Sequence, residues 1–257
     1  MPELLLNHFN LFLIAMTAMA VVVFVSLFFV DAGYGIFRTK KWGLSLPNRI
    51  GWFLMEVPVF ALMCFYFFTS DRVTLPYLAF FVIFQIHYFQ RVFIFPLLIK
   101  GKSRMPLAIV MMGVVFNSLN ALMQAGWLFY LSPADYYGDA WLVSPQFIIG
   151  TLVFFAGFAI NIDSDYIIRH LRKPGDTKHY LPQKHLFRYV TSANYFGEFM
   201  EWVGFAILTW SLAGAVFAIW TFANLAPRAV RLNKKYKSMF EEEFAKHNPK
   251  SILPFLM

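Results

Sequence analysis

Apolar stretches long enough to cross a bilayer constrain the fold of this chain more than any other feature. A membrane-spanning helix needs about 20 apolar residues. Five stretches meet that length, and a sixth, from Phe196 to Ala226, has room for two closely spaced helices with a turn near Trp210 and Ser211. The predicted spans are residues 9–30, 50–69, 75–99, 105–131, 143–162, 196–211 and 213–228. We therefore expect an all-α integral membrane protein with seven transmembrane helices in a single domain, residues 1–257.

Composition supports a membrane protein and excludes several kinds of site. Hydrophobic residues make up 59% of the 257 residues and charged residues only 14%, whereas soluble domains are nearer one half and one quarter. The single cysteine, Cys64, excludes an internal disulfide and any zinc or iron–sulfur site built on cysteines. The chain has no HExxH pattern and its histidines are scattered, so we expect no metal site.

Basic residues alternate between the predicted loops. The loops 31–49, 100–104 and 163–195 and the tail after residue 226 are rich in Lys and Arg, while the loops between them have at most one. The positive-inside rule then places the N-terminus outside and the C-terminus in the cytoplasm. Topology thus explains the net charge of +8, and we expect no nucleic-acid partner.

Polar residues inside the predicted spans are costly, so each one is a functional hypothesis. They are Glu56, Gln85, His87, Tyr88, Gln90, Arg91, Asn117, Asn120, Gln124, Asn161, Asn194, Glu198 and Glu201. Most of these residues fall in the cytoplasmic half of the membrane or at its cytoplasmic face. This distribution predicts a buried polar cavity that opens to the cytosol. Such a cavity suits an apolar substrate that meets a polar, anionic cofactor.

Glu56 and Tyr88 are the residues in this set that best fit catalysis. Desolvation favours the neutral form of a carboxyl, which can then donate or share a proton. A tyrosine hydroxyl beside it can donate a hydrogen bond to a carbonyl oxygen, as hydride addition to a conjugated enone requires.

The other polar residues have structural interpretations as well. Asn117, Asn120 and Gln124 are interpreted as contacts between helices. His87 and Arg91 fit a bracing role and a direct role equally. Glu198 and, less well, Glu201 fit a favourable interaction with the dipole at the start of a helix.

The segment from Asn161 to Asn194 is basic and contains amphipathic stretches. Its arginines suit either the phosphates of a nucleotide or anionic lipid headgroups, and spacing does not separate the two. The chain contains no glycine-rich phosphate loop, so any nucleotide is bound without a Rossmann motif.

Several motifs together resemble the steroid 5α-reductases, the 3-oxo-5α-steroid 4-dehydrogenase family. The resemblance covers nearly the whole chain and is densest after Asn161. The matching segments are Gly33-Tyr34-Gly35, Trp52-Phe53-Leu54 before Glu56 and Pro58, His87-Tyr88-Phe89 before Arg91, Asn161 to Tyr166, Leu171 to Gly175, Asn194 to Glu198, Glu201-Trp202, Trp210 to Leu212, Tyr236 to Phe240 and Leu253 to Phe255.

The resemblance implies a seven-helix fold and NADPH-dependent reduction of 3-oxo-Δ4 steroids. It implies that Tyr88 and Glu56 polarise the C3 carbonyl while hydride reaches C5. It assigns cofactor contacts or positions lining the site to ten residues: Asn161, Asp165, Arg172, His179, Asn194, Glu198, Arg228, Tyr236, Tyr34 and Trp52. The expected partners are a steroid or sterol-like substrate and membrane lipid, with a monomeric protein in a bacterial inner membrane or the endoplasmic reticulum.

Three positions depart from the mammalian pattern: Leu232 replaces a histidine, His179 a tyrosine and Met112 an arginine. These departures fit a bacterial or other distant member, and they leave the cofactor contacts and steroid preference open. The alternatives are a reductase of a sterol or an enoyl thioester, a methyltransferase that uses S-adenosylmethionine, and a lipid-binding protein without enzymatic activity.

Overall fold

The computed structural model describes residues 2–30, 33, 42–173, 176 and 178–257. Nine α-helices and two three-residue strands form the regular structure of this part of the chain. The helices are α1 (Pro2–Ser26), α2 (Asn48–Phe68), α3 (Leu75–Phe89), α4 (Phe95–Leu98), α5 (Leu107–Ala125), α6 (Pro145–His170), α7 (Ala193–Thr209), α8 (Leu212–Met239) and α9 (Glu241–His247). The strands β1 (Ser45–Pro47) and β2 (Arg104–Pro106) pair in antiparallel orientation.

Five helical stretches in the described residues are long and apolar enough to cross a membrane. They are Leu4–Ser26, Asn48–Phe68, Leu75–Leu98, Leu107–Leu131 and Pro145–His170, which match the first five predicted spans. The turn predicted near Trp210 and Ser211 is present, since α7 ends at Thr209 and α8 begins at Leu212. Trp210 has a positive φ of 45°, which reverses the chain without glycine. The total of seven spans stays a prediction.

The largest difference from the predicted boundaries is in α6. The predicted span ends at residue 162, but the helix continues to His170. The residues from Asn161 to Arg169 contain no proline or glycine, so nothing in the backbone stops the helix where its apolar character ends. Asp163, Asp165 and Arg169 therefore lie on a helix and not in the loop where the apolar pattern placed them.

The chain divides into two compact units, which are described separately. The first unit consists of Met1–Ala15, Asp31–Ile148 and Thr209–Gly214, and the second of Met16–Val30, Ile149–Leu208 and Ala215–Met257.

In the first unit, α2 packs chiefly against α5. Both helices begin directly after a strand of the β1–β2 pair, with Pro47 and Pro106 at the N-cap positions. Gly113 brings them close, because a β-carbon on it would lie 2.0 Å from Cγ of Met55. This approach sets the spacing of α2 and α5 beside Glu56, the residue after Met55.

Two π-helical turns interrupt the helices of the first unit. One, Gln90–Ile94, joins α3 to α4, and the other, Gly126–Leu131, ends the α5 span. A π-helical turn has i→i+5 hydrogen bonds and is found frequently at functional sites. The first of these turns carries Arg91, which is buried.

An aromatic cluster lies in the connection between α5 and α6. The buried Tyr137 accepts a hydrogen bond from the Trp127 indole (2.9 Å) and donates one to the carbonyl of Thr209 (2.6 Å). Its ring packs edge-on against Phe80 and Trp141. Burial raises the pKa of the Tyr137 phenol, which stays protonated and keeps this donor. These contacts join the connection to the turn after α5 and to α3.

In the second unit, four glycines form the contact between α6 and α7. A β-carbon on Gly157 would lie 2.6 Å from the Gly197 carbonyl oxygen, and one on Gly150 would lie 2.7 Å from that of Gly204. The reciprocal distances are as short. The two backbones therefore touch without intervening side chains, as in many membrane helix pairs.

The C-terminal segment of the second unit packs back onto its helices. Lys250 donates its N–H to the Tyr189 carbonyl, and Thr191 donates its own to the Lys250 carbonyl, both at 2.8 Å. Ile252 is fully buried against Leu225 and neighbouring α8 residues. This segment thereby holds the chain that leads into α7.

Candidate active site

The first unit places Glu56 and Tyr88, hereafter the acid pair, on neighbouring helices α2 and α3. Both side chains are buried, with 8% and 3% of their surface exposed. Tyr88 lies between Phe84 and His87, whose rings are centred 4.7 and 5.0 Å from its own. A buried carboxyl and a buried phenol are hydrogen-bonding groups with little competition from water.

The α5 helix supplies one amide to each member of the acid pair. Asn117 donates its Nδ2–H to the Met55 carbonyl (2.7 Å) and to Oε2 of Glu56 (3.0 Å). Asn120, one turn further, donates to the Tyr88 hydroxyl (3.0 Å). Sequence reasoning interpreted both as contacts between helices. Both residues do form contacts between helices, but their hydrogen bonds end on Glu56 and Tyr88, the two candidate catalytic residues.

Arg91 and Trp52 form a cation–π contact in the same unit. The Arg91 guanidinium lies 4.9 Å from the centre of the Trp52 ring and 4.8 Å from that of Phe95. The two rings also meet edge to face at 5.0 Å. Stacking of this kind holds a buried guanidinium in one orientation. Trp52, which the resemblance assigns to the site, is thus half-buried beside a fixed positive charge.

The second unit connects three predicted cofactor residues through hydrogen bonds. Asn161 on α6 donates its Nδ2–H to the carbonyl of Asn194 at the start of α7 (2.9 Å). The Asn194 side chain donates in turn to Oδ1 of Asp165 (3.4 Å). Gly157 and Gly197 allow this contact, because they let the two helices approach one turn before Asn161.

Arg172, His179 and Tyr236 form a second group in this unit. Arg172 donates a hydrogen bond from Nη2 to Nδ1 of His179 (2.9 Å). Partial burial and the nearby positive charges of Arg172 and Lys235 lower the pKa of His179, so the ring is neutral and can accept that bond. Burial raises the pKa of the Tyr236 phenol, an effect that the charge of Arg172 partly offsets. The positive charge of Arg172 therefore affects the pKa of both His179 and Tyr236.

Glu198 and Arg228 are partly buried on α7 and α8. Glu198 follows Asn194 by four residues, and the helix therefore presents both on one face. Arg228 lies in sequence between Ala226 and Ala229, which pack with the buried Ile252 of the C-terminal segment. Glu201, fully buried and next to Gly157, was weighed from the sequence but not assigned to the site.

The second unit contains two buried polar atoms that suit a polar ligand. Nη1 of Arg169 and the hydroxyl of Ser192 are buried without a hydrogen-bond partner among the described residues. Arg169 lies four residues after Asp165, and Ser192 two residues before Asn194. Buried polar atoms are rarely left in this condition, so these positions suit a polar ligand. The described residues contain no group of three or more side chains that could hold a metal ion.

The structure thus gathers the predicted residues into separate sets. Glu56, Tyr88 and Trp52 belong to the first unit, and the predicted cofactor residues from Asn161 to Tyr236 belong to the second. Tyr34 lies outside the described residues. The signal that the sequence offered for Asn117 and Asn120 is their spacing, since residues three apart lie on one helix face.

Comparison with known proteins agrees with the motifs. A family model described as 3-oxo-5-alpha-steroid 4-dehydrogenase matches residues 103–257. The human protein named 3-oxo-5-alpha-steroid 4-dehydrogenase 1 is 40% identical over 226 residues, which cover 87% of this chain and 85% of the relative. The Macaca fascicularis protein of the same name is 39% identical over 88% of this chain and 85% of the relative.

A plant relative covers even more of the chain. The Gossypium hirsutum protein named Steroid 5-alpha-reductase DET2 is 34% identical over 254 residues, 96% of this chain and 97% of the relative. The similarity therefore includes both units and both sets of candidate residues. The chain belongs to the 3-oxo-5-alpha-steroid 4-dehydrogenase family of oxidoreductases.

Proposed function

We propose that this protein reduces the Δ4 double bond of 3-oxo-Δ4 steroids to give 5α-steroids, with NADPH as the reductant. The observation that carries the proposal is the buried acid pair, in which each member is held by its own α5 amide. Membership in the family supplies the substrate class and the reaction type. A lipid-binding protein without activity would have no use for a carboxyl and a phenol fixed in this way.

In this proposal the acid pair binds the C3 carbonyl oxygen. The Tyr88 hydroxyl donates a hydrogen bond to that oxygen, and Glu56 supports the donation. Negative charge develops on the oxygen as the conjugated enone accepts electrons, so donors placed there stabilise the transition state more than the ground state. The apolar surroundings strengthen the effect, because water does not compete.

When bound, NADPH would supply the hydride that reduction at C5 requires, and solvent would supply the proton at C4. The residues that would hold the cofactor are those of the second unit. Arg172 and Arg228 carry the positive charge that phosphates require, and Asn161 and Asn194 offer amides for neutral polar groups. Asp165, Glu198, His179 and Tyr236 complete the proposed set in this unit. Trp52 and Tyr34 are proposed on the family resemblance alone.

We also propose the seven-span topology, with the N-terminus outside and the C-terminus in the cytoplasm. Residues 212–239 form a helix of about 42 Å at 1.5 Å per residue, longer than a hydrocarbon core of about 30 Å. Its last turns, with Lys234, Lys235 and Lys237, then extend into the cytoplasm. Cysteine labelling from each side of the membrane, in a Cys64→Ser background, tests this orientation.

A direct assay tests the reaction. Membranes that contain the protein are incubated with NADPH and testosterone or progesterone, and products are identified by mass spectrometry. A ketone about two mass units heavier, with 5α stereochemistry, is the expected result because reduction adds two hydrogens. Competition with an enoyl thioester is the control, since a thioester reductase would ignore the free steroid.

Other outcomes would change the proposal. Stabilisation of the protein by NADPH without steroid product would keep the cofactor and replace the substrate class. Stabilisation by S-adenosylmethionine but not by NADPH would contradict the reductase assignment.

A further inference from the structure

Beyond the acid pair itself, a chain of amides leads to Tyr88 from a main-chain carbonyl. The chain runs from the carbonyl of Ala213 through Gln124 and Asn120 to the Tyr88 hydroxyl, all within the first unit. Gln124 and Asn120 are buried almost completely, with 1% and 0% of their surface exposed. Amides buried to this extent have no water to reorient them, so their partners decide which atom points where.

The polarity of this chain is fixed at its far end. A main-chain carbonyl can only accept, so Gln124 must present its Nε2–H to Ala213 (2.9 Å). The same Nε2 group lies 3.5 Å from Oδ1 of Asn120. Asn120 thus turns its oxygen toward Gln124 and its Nδ2–H toward Tyr88.

This orientation of Asn120 limits the directions in which Tyr88 can donate its single phenolic proton. Because the Tyr88 oxygen accepts from Asn120, its own O–H cannot point back along that line and must be donated in another direction. Accepting a hydrogen bond also polarises the hydroxyl and strengthens the bond it donates. A reversed amide would instead take the phenolic proton for itself.

We propose that Asn120 and Gln124 are positioning residues that direct the Tyr88 proton toward the substrate carbonyl. This inference rests on the proposed function, since it assumes that Tyr88 donates to a 3-oxo group. Neither residue touches the substrate; Asn120 acts through Tyr88, and Gln124 acts through Asn120.

The test is a double-mutant cycle with Tyr88→Phe. Asn120→Leu is similar in volume and removes the amide. At saturating NADPH it should lower kcat/KM for the steroid by about tenfold to a hundredfold, the cost of one hydrogen bond to a group that develops charge. In the Tyr88→Phe background, where no phenolic proton is left to direct, the same change should have an effect of no more than about twofold. Gln124→Leu should show the same pattern with a smaller effect.

Gln85→Leu is the matched control. Gln85 is also a buried amide on α3 and donates to the Phe60 carbonyl (3.0 Å) and to Sγ of Cys64 (2.9 Å). These hydrogen bonds end on Phe60 and Cys64 and not on Tyr88, so the change should alter kcat/KM by the same factor in both backgrounds. If Asn120→Leu behaves like Gln85→Leu, Asn120 is a packing residue and the inference is wrong.

A binding measurement keeps the test decisive when turnover of Tyr88→Phe is too slow to compare. Thermal stabilisation is measured for a 3-oxo steroid and for the same steroid without the 3-oxo group. Asn120→Leu should weaken only the binding of the ketone, and equal weakening of both ligands would overturn the inference. Failure of the proposed function is a different outcome: Tyr88→Phe would itself turn over at the wild-type rate.

Discussion

The two units hold their polar residues by different means. In the first unit, side chains bind side chains: Asn117 holds Glu56, and Asn120 holds Tyr88. In the second unit, contacts of the main chain hold more of the structure in place. These are the glycine contact between α6 and α7 and the pairing of the C-terminal segment with residues 189–192. We therefore expect substitutions in the first unit to impair the chemical step, and substitutions in the second unit to impair cofactor binding and folding.

The largest expected effect is that of Tyr88→Phe in the first unit. Removal of the hydroxyl should lower kcat by about a hundredfold to a thousandfold, as loss of one donor to a developing oxyanion does. Affinity for NADPH, measured by thermal stabilisation, should stay within about twofold because the variant removes no proposed phosphate contact.

Tyr77→Phe is a suitable control for that variant. Its hydroxyl accepts a hydrogen bond from Arg72 (3.1 Å) at the other end of α3. Loss of this bond should leave turnover near the wild-type value. A hundredfold loss in both variants would show that α3 tolerates no change, and would not single out Tyr88.

In the second unit, Gly197→Ala should have the next largest effect. The added methyl group would lie 2.6 Å from the Asn161 main-chain nitrogen, so α6 and α7 must separate and the Asn161–Asn194 hydrogen bond must stretch. We expect a loss of about 1–3 kcal/mol in stability and a raised KM for NADPH, with the KM for steroid less affected. Thermal unfolding and steady-state kinetics measure both.

Gly138→Ala provides the comparison, because a β-carbon there would meet nothing within 4 Å. It should leave stability and both KM values unchanged. If Gly197→Ala raises the KM for steroid as much as that for NADPH, the proposed difference between the units is wrong.

Ile252→Ala should reduce the stability of the second unit. The side chain is fully buried against Leu225, Ala226 and Ala229, and a large-to-small change in such a site costs about 2–5 kcal/mol. The NADPH concentration needed for half-maximal rate should also rise, because Arg228 lies between these alanines. Leu256→Ala, at a side chain with 80% of its surface exposed, is the control.

The smallest effect concerns pH. The pKa of His179 is lower in the folded protein than its ordinary value, so protonation favours the unfolded chain. The Arg172–His179 contact therefore contributes above about pH 6.5 and is lost as the pH falls through the lowered pKa. Between pH 8 and pH 5, the midpoint of thermal unfolding (Tm) should fall less steeply in His179→Phe than in the wild type. Parallel curves would contradict this assignment.

Much of the architecture could be predicted from the sequence, since hydropathy reports which segments avoid water. The apolar runs closely located α2 and the helical stretches Leu75–Leu98 and Leu107–Leu131, and Trp210 and Ser211 marked the break before α8. The end of α6 was missed because apolar character stops at Ile162 while helix propensity does not. The β1–β2 pair was missed because three residues give no periodicity.

The candidate site was predictable by residue type but not by partner. Depth and chemistry singled out Glu56 and Tyr88, and family motifs singled out the second unit's residues. That Asn120 serves Tyr88 depends on how α3 and α5 face each other, which no single helix encodes. The glycine contact between α6 and α7 could have been predicted from spacing. Gly150 and Gly157, like Gly197 and Gly204, are seven residues apart and therefore share a helix face.

The π-helical turn at Gln90–Ile94 bears on how this enzyme could change over evolution or in the laboratory. Such a turn contains one residue more than the α-helix it interrupts. Because the turn accommodates that extra residue, deleting one residue there would restore regular hydrogen bonding and leave the helical segments on either side near their present orientation. Arg91, which lies inside the turn and is now stacked on Phe95, would then face another direction while Tyr88 stayed in place. Libraries that vary chain length at this turn would thus sample pocket shapes that point substitutions do not reach.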